Sequence, residues 1–216
     1  MMAWYVFALV DRPPSPRIGG GISGPLSMRK LAGAFAVVER RADVPPVALG
    51  TLKKHQAVVS RLARQVPAIL PVRFGTLLDA PELDDALDER DSEIADAFDL
   101  VRDRVQFTWR AARRSRRAAP ARTPAASGTE YLRRAARQAN PPPPAIFSPL
   151  RATLAPLTVR QRYQPGTATI PESLYHLVAK PDMRRYTDAA AALPDTSGAL
   201  TMSGPFPPFA FAPEIL

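Results

Sequence analysis

The sequence predicts an α+β protein of two domains, and three observations carry that prediction. Short stretches rich in β-branched and aromatic residues recur along the chain. A period of three and four interrupts them between Pro46 and Val66. From Val105 onward the elements read strand, helix, strand, strand, helix, strand. That last order is the split βαβ pattern of a ferredoxin-like sandwich. With 46% hydrophobic and 23% charged residues over 216 positions, the chain has the composition of a folded protein.

Ala3–Val10 is the first strand, closed by a Pro/Gly-rich loop from Asp11 to Pro25. Leu26–Lys30 and Ala34–Arg41 follow as strands. In the helix from Pro46 to Val66, residues Leu52, His55, Val59, Leu62 and Val66 share one face, while Lys53, Lys54, Arg61 and Arg64 fall elsewhere. Ala68–Phe74 reads as a buried strand ending at Gly75. Asp79 to Leu100 is an acidic helix whose start, Ala80-Pro81-Glu82, suits a first turn. Val105–Ala111 alternates apolar and polar residues, the mark of a strand with one wet face.

Arg113 to Ser127 lacks apolar periodicity and reads as an exposed linker, so the expected division is a domain over 1–112, a linker over 113–127 and a second domain over 128–216. In the second domain, a helix over Gly128–Ala139 is broken by Pro141–Pro144, because each proline ring removes a donor and fixes φ. Another helical piece spans about Pro149–Leu157. Strands at Val159–Tyr163 and Ser173–Ala179, a helix from Pro181 to Leu193 and a strand at Ala199–Ser203 complete it.

Composition excludes several kinds of chemistry. The absence of cysteine removes disulfides, Cys-ligated zinc and thiol nucleophiles, and two histidines are too few for a histidine-rich metal cluster. No phosphate loop, dinucleotide fingerprint, HExxH or GxSxG occurs. We therefore expect no cofactor, no metal and no enzymatic activity. Met1–Val10 is apolar but stops far short of the ~20 residues that span a bilayer, so a cytoplasmic protein without a membrane partner is expected.

The net charge of +9 is local: Arg110 to Arg137 holds nine arginines against Glu130 alone, and the stretch from Asp79 to Asp103 holds eleven acids against Arg90 and Arg102. A basic nucleic-acid-binding module acting through Arg110–Arg137 is one reading. Against it, no aromatics interleave with the arginines and no RNP1-type signature is present. The charges suit the chain's own acidic helix or an acidic partner equally well. The carboxylates of Asp79–Asp103 read as a solvated face.

Arg73 stands inside the apolar run Ile69-Leu70-Pro71-Val72-Arg73-Phe74-Gly75-Thr76. A structural ion pair is the plain reading and an anion-handling site the sharper one. His55, beside Leu52 and Val59, and His176, within a strand, read as packed and hydrogen-bonded. Proline, at 25 residues, is about twice the usual share. Its most individual use is Met202-Ser203-Gly204-Pro205-Phe206-Pro207-Pro208-Phe209-Ala210-Phe211. In polyproline II, Phe206 and Phe209 project from one side with Phe211 nearby, giving either a clamp on the chain's own domain or an aromatic edge for a partner.

Taken in order, His55-Gln56-Ala57-Val58-Val59, Ile69–Thr76, Gly128-Thr129-Glu130-Tyr131-Leu132 and Ser203–Phe211 resemble the gas vesicle accessory protein family GvpF/GvpL over nearly the whole chain. The resemblance implies an N-terminal α+β sandwich of modified ferredoxin-like type and a C-terminal ferredoxin-like domain with a helical segment. It implies a non-enzymatic role in vesicle assembly through the small hydrophobic shell protein, with other gas vesicle accessory proteins as further partners and the gas vesicle as location. Arg73, Phe74, Phe206, Pro207, Pro208, Phe209 and Phe211 are the expected partner-binding or interdomain residues. The family pattern has Glu where this chain has Gln106, and Trp and Tyr-Ser where it has Phe206 and Phe209-Ala210; ring bulk is kept while donors are lost.

Overall fold

The structure, a computed structural model, describes residues 3–15, 18–31, 33–112, 142–167, 169–193 and 199–214. The chain forms two compact units, Met1–Gln106 with Pro205–Leu216, and Phe107–Gly204. The predicted linker and the helix over Gly128–Ala139 lie outside the described residues. The Pro-Phe block, expected with the second domain, instead groups with the first, so the first unit is discontinuous in sequence.

Unit 1 contains β1 (Ala3–Val10), β2 (Leu26–Lys30), β3 (Phe35–Arg41), α1 (Leu49–Ala63), β4 (Ile69–Pro71), β5 (Leu77–Leu78), α2 (Ala80–Asp88) and α3 (Asp91–Val101). Its sheet has the order β2-β3-β1-β4, with β5 also paired to β1. Strand β3 is antiparallel to both β1 and β2, so β1 and β2 run parallel with β3 between them. Parallel strands need a long crossover. In a ferredoxin-like sandwich that crossover is a helix; here the described residues between β1 and β2 form none.

A loop in place of a helix leaves buried backbone groups that no i→i−4 ladder satisfies. Side chains supply the partners. Ile22 and Ser23 donate their N–H groups to the Glu39 carboxylate at 2.6 and 3.1 Å, and the Ser23 hydroxyl adds a third bond at 2.9 Å. From α1, Arg61 donates to the carbonyls of Ile18 (2.7 Å) and Gly20 (2.6 Å), and Lys54 to that of Ile22 (3.1 Å). With its backbone satisfied, the loop inserts Ile18 and Ile22 into the apolar cluster of Tyr5, Phe7, Val58, Val59 and Leu62. Burial pushes the Glu39 carboxyl up, but these hydrogen bonds and Arg41 together hold it below its ordinary value.

The opposite face of the sheet is covered too. Tyr5 bonds His55 of α1, whereas Trp4, one residue earlier and thus on the other face, lies under Arg29, whose guanidinium grips Asp84 of α2. Leu83, Leu87, Ile94, Phe98 and Val101 of α2 and α3 are buried. The predicted single acidic helix is two helices. Asp79 caps the first in a reciprocal capping box with Glu82, both bonds 2.9 Å. Arg90 leaves helical geometry at φ −127°, ψ 20° and separates the second.

Unit 2 carries β6 (Arg104–Ala111), which begins in unit 1, then α4 (Ser148–Leu154) flanked by 3-10 turns, β7 (Arg160–Gln164), β8 (Ser173–Ala179), α5 (Met183–Ala191) and β9 (Leu200–Phe206). The sheet order β7-β8-β6-β9 is the ferredoxin-like order predicted from the element sequence. Ala112 donates to Ala199 and the Ser203 hydroxyl to Thr108. These bonds set β9 beside β6, antiparallel to it.

Two glycine substitutions test the loop's role. A Cβ on Gly21 would sit 2.1 Å from Glu39 Oε2, whereas Gly50, in the first turn of α1, has nothing within 4 Å. Gly21→Ala is expected to destabilise by about 2–4 kcal/mol by displacing a buried carboxylate from its donors. Gly50→Ala is expected to be neutral to about 1 kcal/mol stabilising. Equal denaturation midpoints for the two variants would refute this account of the loop.

Candidate functional site

The segment predicted as one strand with Arg73 inside it is interrupted. β4 pairs Pro71 with Ala8, and β5 pairs Leu77 with Tyr5. Between them Val72 donates to Phe7 and Val6 donates to Thr76, so both flanks stay on β1 while Arg73-Phe74-Gly75 loops out. Gly75 at φ 99° makes the excursion possible, since a side chain is strained there. Arg73 therefore faces water. Its partner is Glu214 at 3.5 Å, with both side chains largely exposed. No described second cation joins it at an anion site: nearby Arg90 donates instead to the Glu214 carbonyl at 3.0 Å.

Phe74 turns inward and packs edge-on against Tyr5 and His55, with ring centroids 6.1 and 5.6 Å apart. The Gly75 N–H donates to the Tyr5 oxygen at 3.3 Å, which leaves the Tyr5 proton for Nδ1 of His55, 2.9 Å away. The imidazole proton then sits on Nε2, which makes no hydrogen bond of ordinary geometry among the described residues. Burial lowers the His55 pKa to about 4, against a smaller raising effect of the Val72 backbone. His55 is thus a neutral core residue, as its spacing suggested.

Unit 2 repeats the arrangement. Trp109 Nε1 donates to Tyr186 at 2.9 Å, and Tyr186 donates to Nδ1 of His176 at 2.8 Å. Burial, reinforced by Arg151, lowers the His176 pKa to about 4. Neither histidine is placed for catalysis. Tyr5, Tyr186 and Trp109 gave no sign of these roles in sequence, since Tyr5–His55 and Trp109–Tyr186 join distant parts of the chain and Tyr186 and His176 lie on different elements.

The Pro-Phe block is not an extended polyproline helix. Phe206 ends β9, and the chain then turns tightly. Phe209 donates to Pro207, and both Phe211 and Ala212 donate to Pro208. Pro207, Pro208, Phe211 and Ala212 are buried, Phe206 is half-buried, and Phe209 remains 38% exposed. The buried Gln106 accepts the Ala210 N–H at 2.7 Å, which fixes the block to unit 1.

The sequence reading missed an exposed apolar strip. Val44, Val47, Leu49 and Leu52 run from the loop after β3 into α1, with Val47 82% and Leu49 70% exposed. Leu52, expected on the buried face, is itself 38% exposed, because the face that packs is His55, Val58, Val59 and Leu62. A Cβ at Gly75 would meet Val44 Cγ1 at 3.7 Å, so the strip borders the excursion that carries Arg73 and Phe74. The signal was present as Val44-Pro45-Pro46-Val47: prolines holding apolar residues where no ladder or helix buries them. Among the described residues there is no cluster of metal-binding side chains, and no helix is long and apolar enough to cross a membrane.

The family described as gas vesicle synthesis protein GvpL/GvpF matches residues 3–213. Among solved structures, the gas vesicle protein GvpF from Anabaena sp. PCC7120 is similar, with a TM-score of 0.74 and 12% identity over 99% of this chain and 97% of that one. GvpF from Microcystis aeruginosa gives a TM-score of 0.70 and 12% identity over 98% and 99%. At such identity these likenesses speak for the fold. No curated protein matches by sequence.

Two measurements test the geometry. Phe211→Ala should cost about 2–4 kcal/mol of unit 1 stability through lost burial, whereas Arg73→Ala should stay within about 0.5 kcal/mol because both its side chain and Glu214 are solvated. Hydrogen exchange of β1 amides separates these outcomes. The second concerns pH. Both histidines have folded pKa values of about 4, below the 6.5 of the unfolded chain, so the unfolded state takes up protons first as pH falls. Stability is complete above pH 6.5 and declines toward pH 4, by on the order of 2 kcal/mol per histidine at pH 5. A flat stability profile between pH 7 and 5 would contradict the neutral buried pairs.

Proposed function

The chain belongs to the gas vesicle synthesis protein GvpL/GvpF family, and from that premise we propose that it acts without catalysis in vesicle assembly by binding the small hydrophobic shell protein in the cytoplasm and at the vesicle. The observation that carries this reading is the strip Val44, Val47, Leu49 and Leu52. Apolar side chains are held out on the loop before α1 and on its first turns, where their burial is left to a partner. Arg73 and Phe74 border the strip, and Phe209 offers a further exposed ring. Phe206, Pro207, Pro208 and Phe211 serve this reading indirectly, by seating the block that carries Phe209. The nucleic-acid alternative draws no support from the described residues: of the basic run only Arg110 is among them with its side-chain contact, a bond to Ser203.

Co-expression with the shell protein tests the proposal. Wild-type chain is expected to keep the shell protein in the supernatant and to co-purify with it in about 0.5 M salt, since apolar contacts are not screened. Val47→Asp/Leu49→Asp, at exposed positions, should lose that complex while melting normally, and Phe209→Ala should weaken it. Equal aggregation of the shell protein with and without the chain ends the proposal. A complex that dissolves in salt, together with a salt-sensitive shift of nucleic acid, would favour the basic-module reading.

A further inference from the structure

We infer that the β2 edge of unit 1 is a self-association surface, on which β2 of a second copy pairs antiparallel to make one sheet continuous across two molecules. An edge strand presents unpaired N–H and C=O groups, and proteins guard such edges with short length, proline or outward charge. The other described edges are guarded. β4 is three residues long and ends in Pro71, and β9 contains Gly204-Pro205. β7 carries Arg160 and Arg162 in five residues, so a second copy of it would bring arginine beside arginine.

β2 is five residues long, holds no proline, and is an outer strand of the order β2-β3-β1-β4. The charge of Arg29 is turned away from the edge. Arg29 is bound by both carboxylate oxygens of Asp84, at 3.0 and 2.9 Å, and lies 5.6 Å from the centre of the Trp4 ring. That leaves Met28, 39% exposed, at the middle of the edge, and Lys30 at its end.

The register says which backbone groups are free. Leu31 donates to Ala34, and the pairing continues as Arg29 with Ala36 and Ser27 with Val38. Antiparallel strands alternate bonded and non-bonded pairs, so Ser27, Arg29 and Leu31 face β3, while the N–H and C=O groups of Leu26, Met28 and Lys30 point outward. A two-fold axis through Met28 sets these three against the same three of a second copy. Met28 meets Met28, Leu26 meets Lys30, and Ser27 meets Arg29, with no like charges opposed. A second copy fits this edge because the two-fold register sets Arg29 against Ser27 and Lys30 against Leu26, so that neither charge of the strand meets a like charge.

Five paired residues bury less than a stable interface needs, so the dimer is expected to be weak, with Kd on the order of 100 µM. Sedimentation velocity of the full chain from about 10 µM to 1 mM is the test. Wild type should move from monomer toward dimer over that range. Met28→Pro removes an outward donor without touching the β3 ladder and should abolish the shift while leaving the melting temperature within a few degrees. Ser27→Arg opposes Arg29 across the axis and should raise Kd roughly ten-fold. Wild type that stays monomeric at 1 mM overturns the inference, whatever other strand the edge binds. So does a folded Met28→Pro or Ser27→Arg variant that associates like wild type.

Discussion

The carboxylate of Glu39 is the interaction on which unit 1 rests. It is 1% exposed on a central strand and accepts three hydrogen bonds from a loop that occupies the place of a helix. A helix would satisfy its own backbone; a loop cannot, so the cost of burying it falls on side chains. Arg61 and Lys54 reach the loop carbonyls from α1, and Glu39 reaches the amides from below. With both held, Ile18 and Ile22 close the core that orients Tyr5, and Tyr5 in turn holds Gly75 and the excursion beside the apolar strip.

The two units solve a shared packing problem in related ways. Each buries a neutral histidine against a tyrosine hydroxyl, and each tyrosine takes a second hydrogen bond from elsewhere: a backbone amide in unit 1 and an indole in unit 2. The tyrosine is a relay that lets a large aromatic core contain polar atoms at small cost. Such networks fix one arrangement of strands and helix.

Much of this was legible in the sequence, and what was not has physical causes. The strands other than β4 and β5, α1, α5 and the ferredoxin-like order of the second sheet follow from periodicity, because each element's pattern is local. Arg73 was misplaced because an excursion from a strand keeps the strand's composition, and only Gly75 at positive φ marks it. The substitution of a loop for a helix was hidden because its determinants, Glu39, Lys54 and Arg61, lie on other elements. The seat of the Pro-Phe block on unit 1 depends on Gln106, about a hundred residues upstream, a pairing no single segment announces. The strip at Val44–Leu52 is hidden for the opposite reason: helical periodicity assigns Leu52 inward and starts the helix at Pro46, which takes in Val47 and Leu49.

The split of unit 1 around unit 2 bears on how the protein is made. Residues up to Gln106 leave the ribosome first, yet the unit they form lacks Pro207, Pro208 and Phe211 until the whole of unit 2 has been synthesised. At about 5–20 residues per second, that is a delay of roughly 5–20 s during which the seat of the block stands open. Unit 2 has all its strands before that seat is filled, so the order of completion inverts the order of synthesis. The nascent chain therefore leaves open to water, for that interval, the surface of its leading half that Pro207, Pro208 and Phe211 later cover.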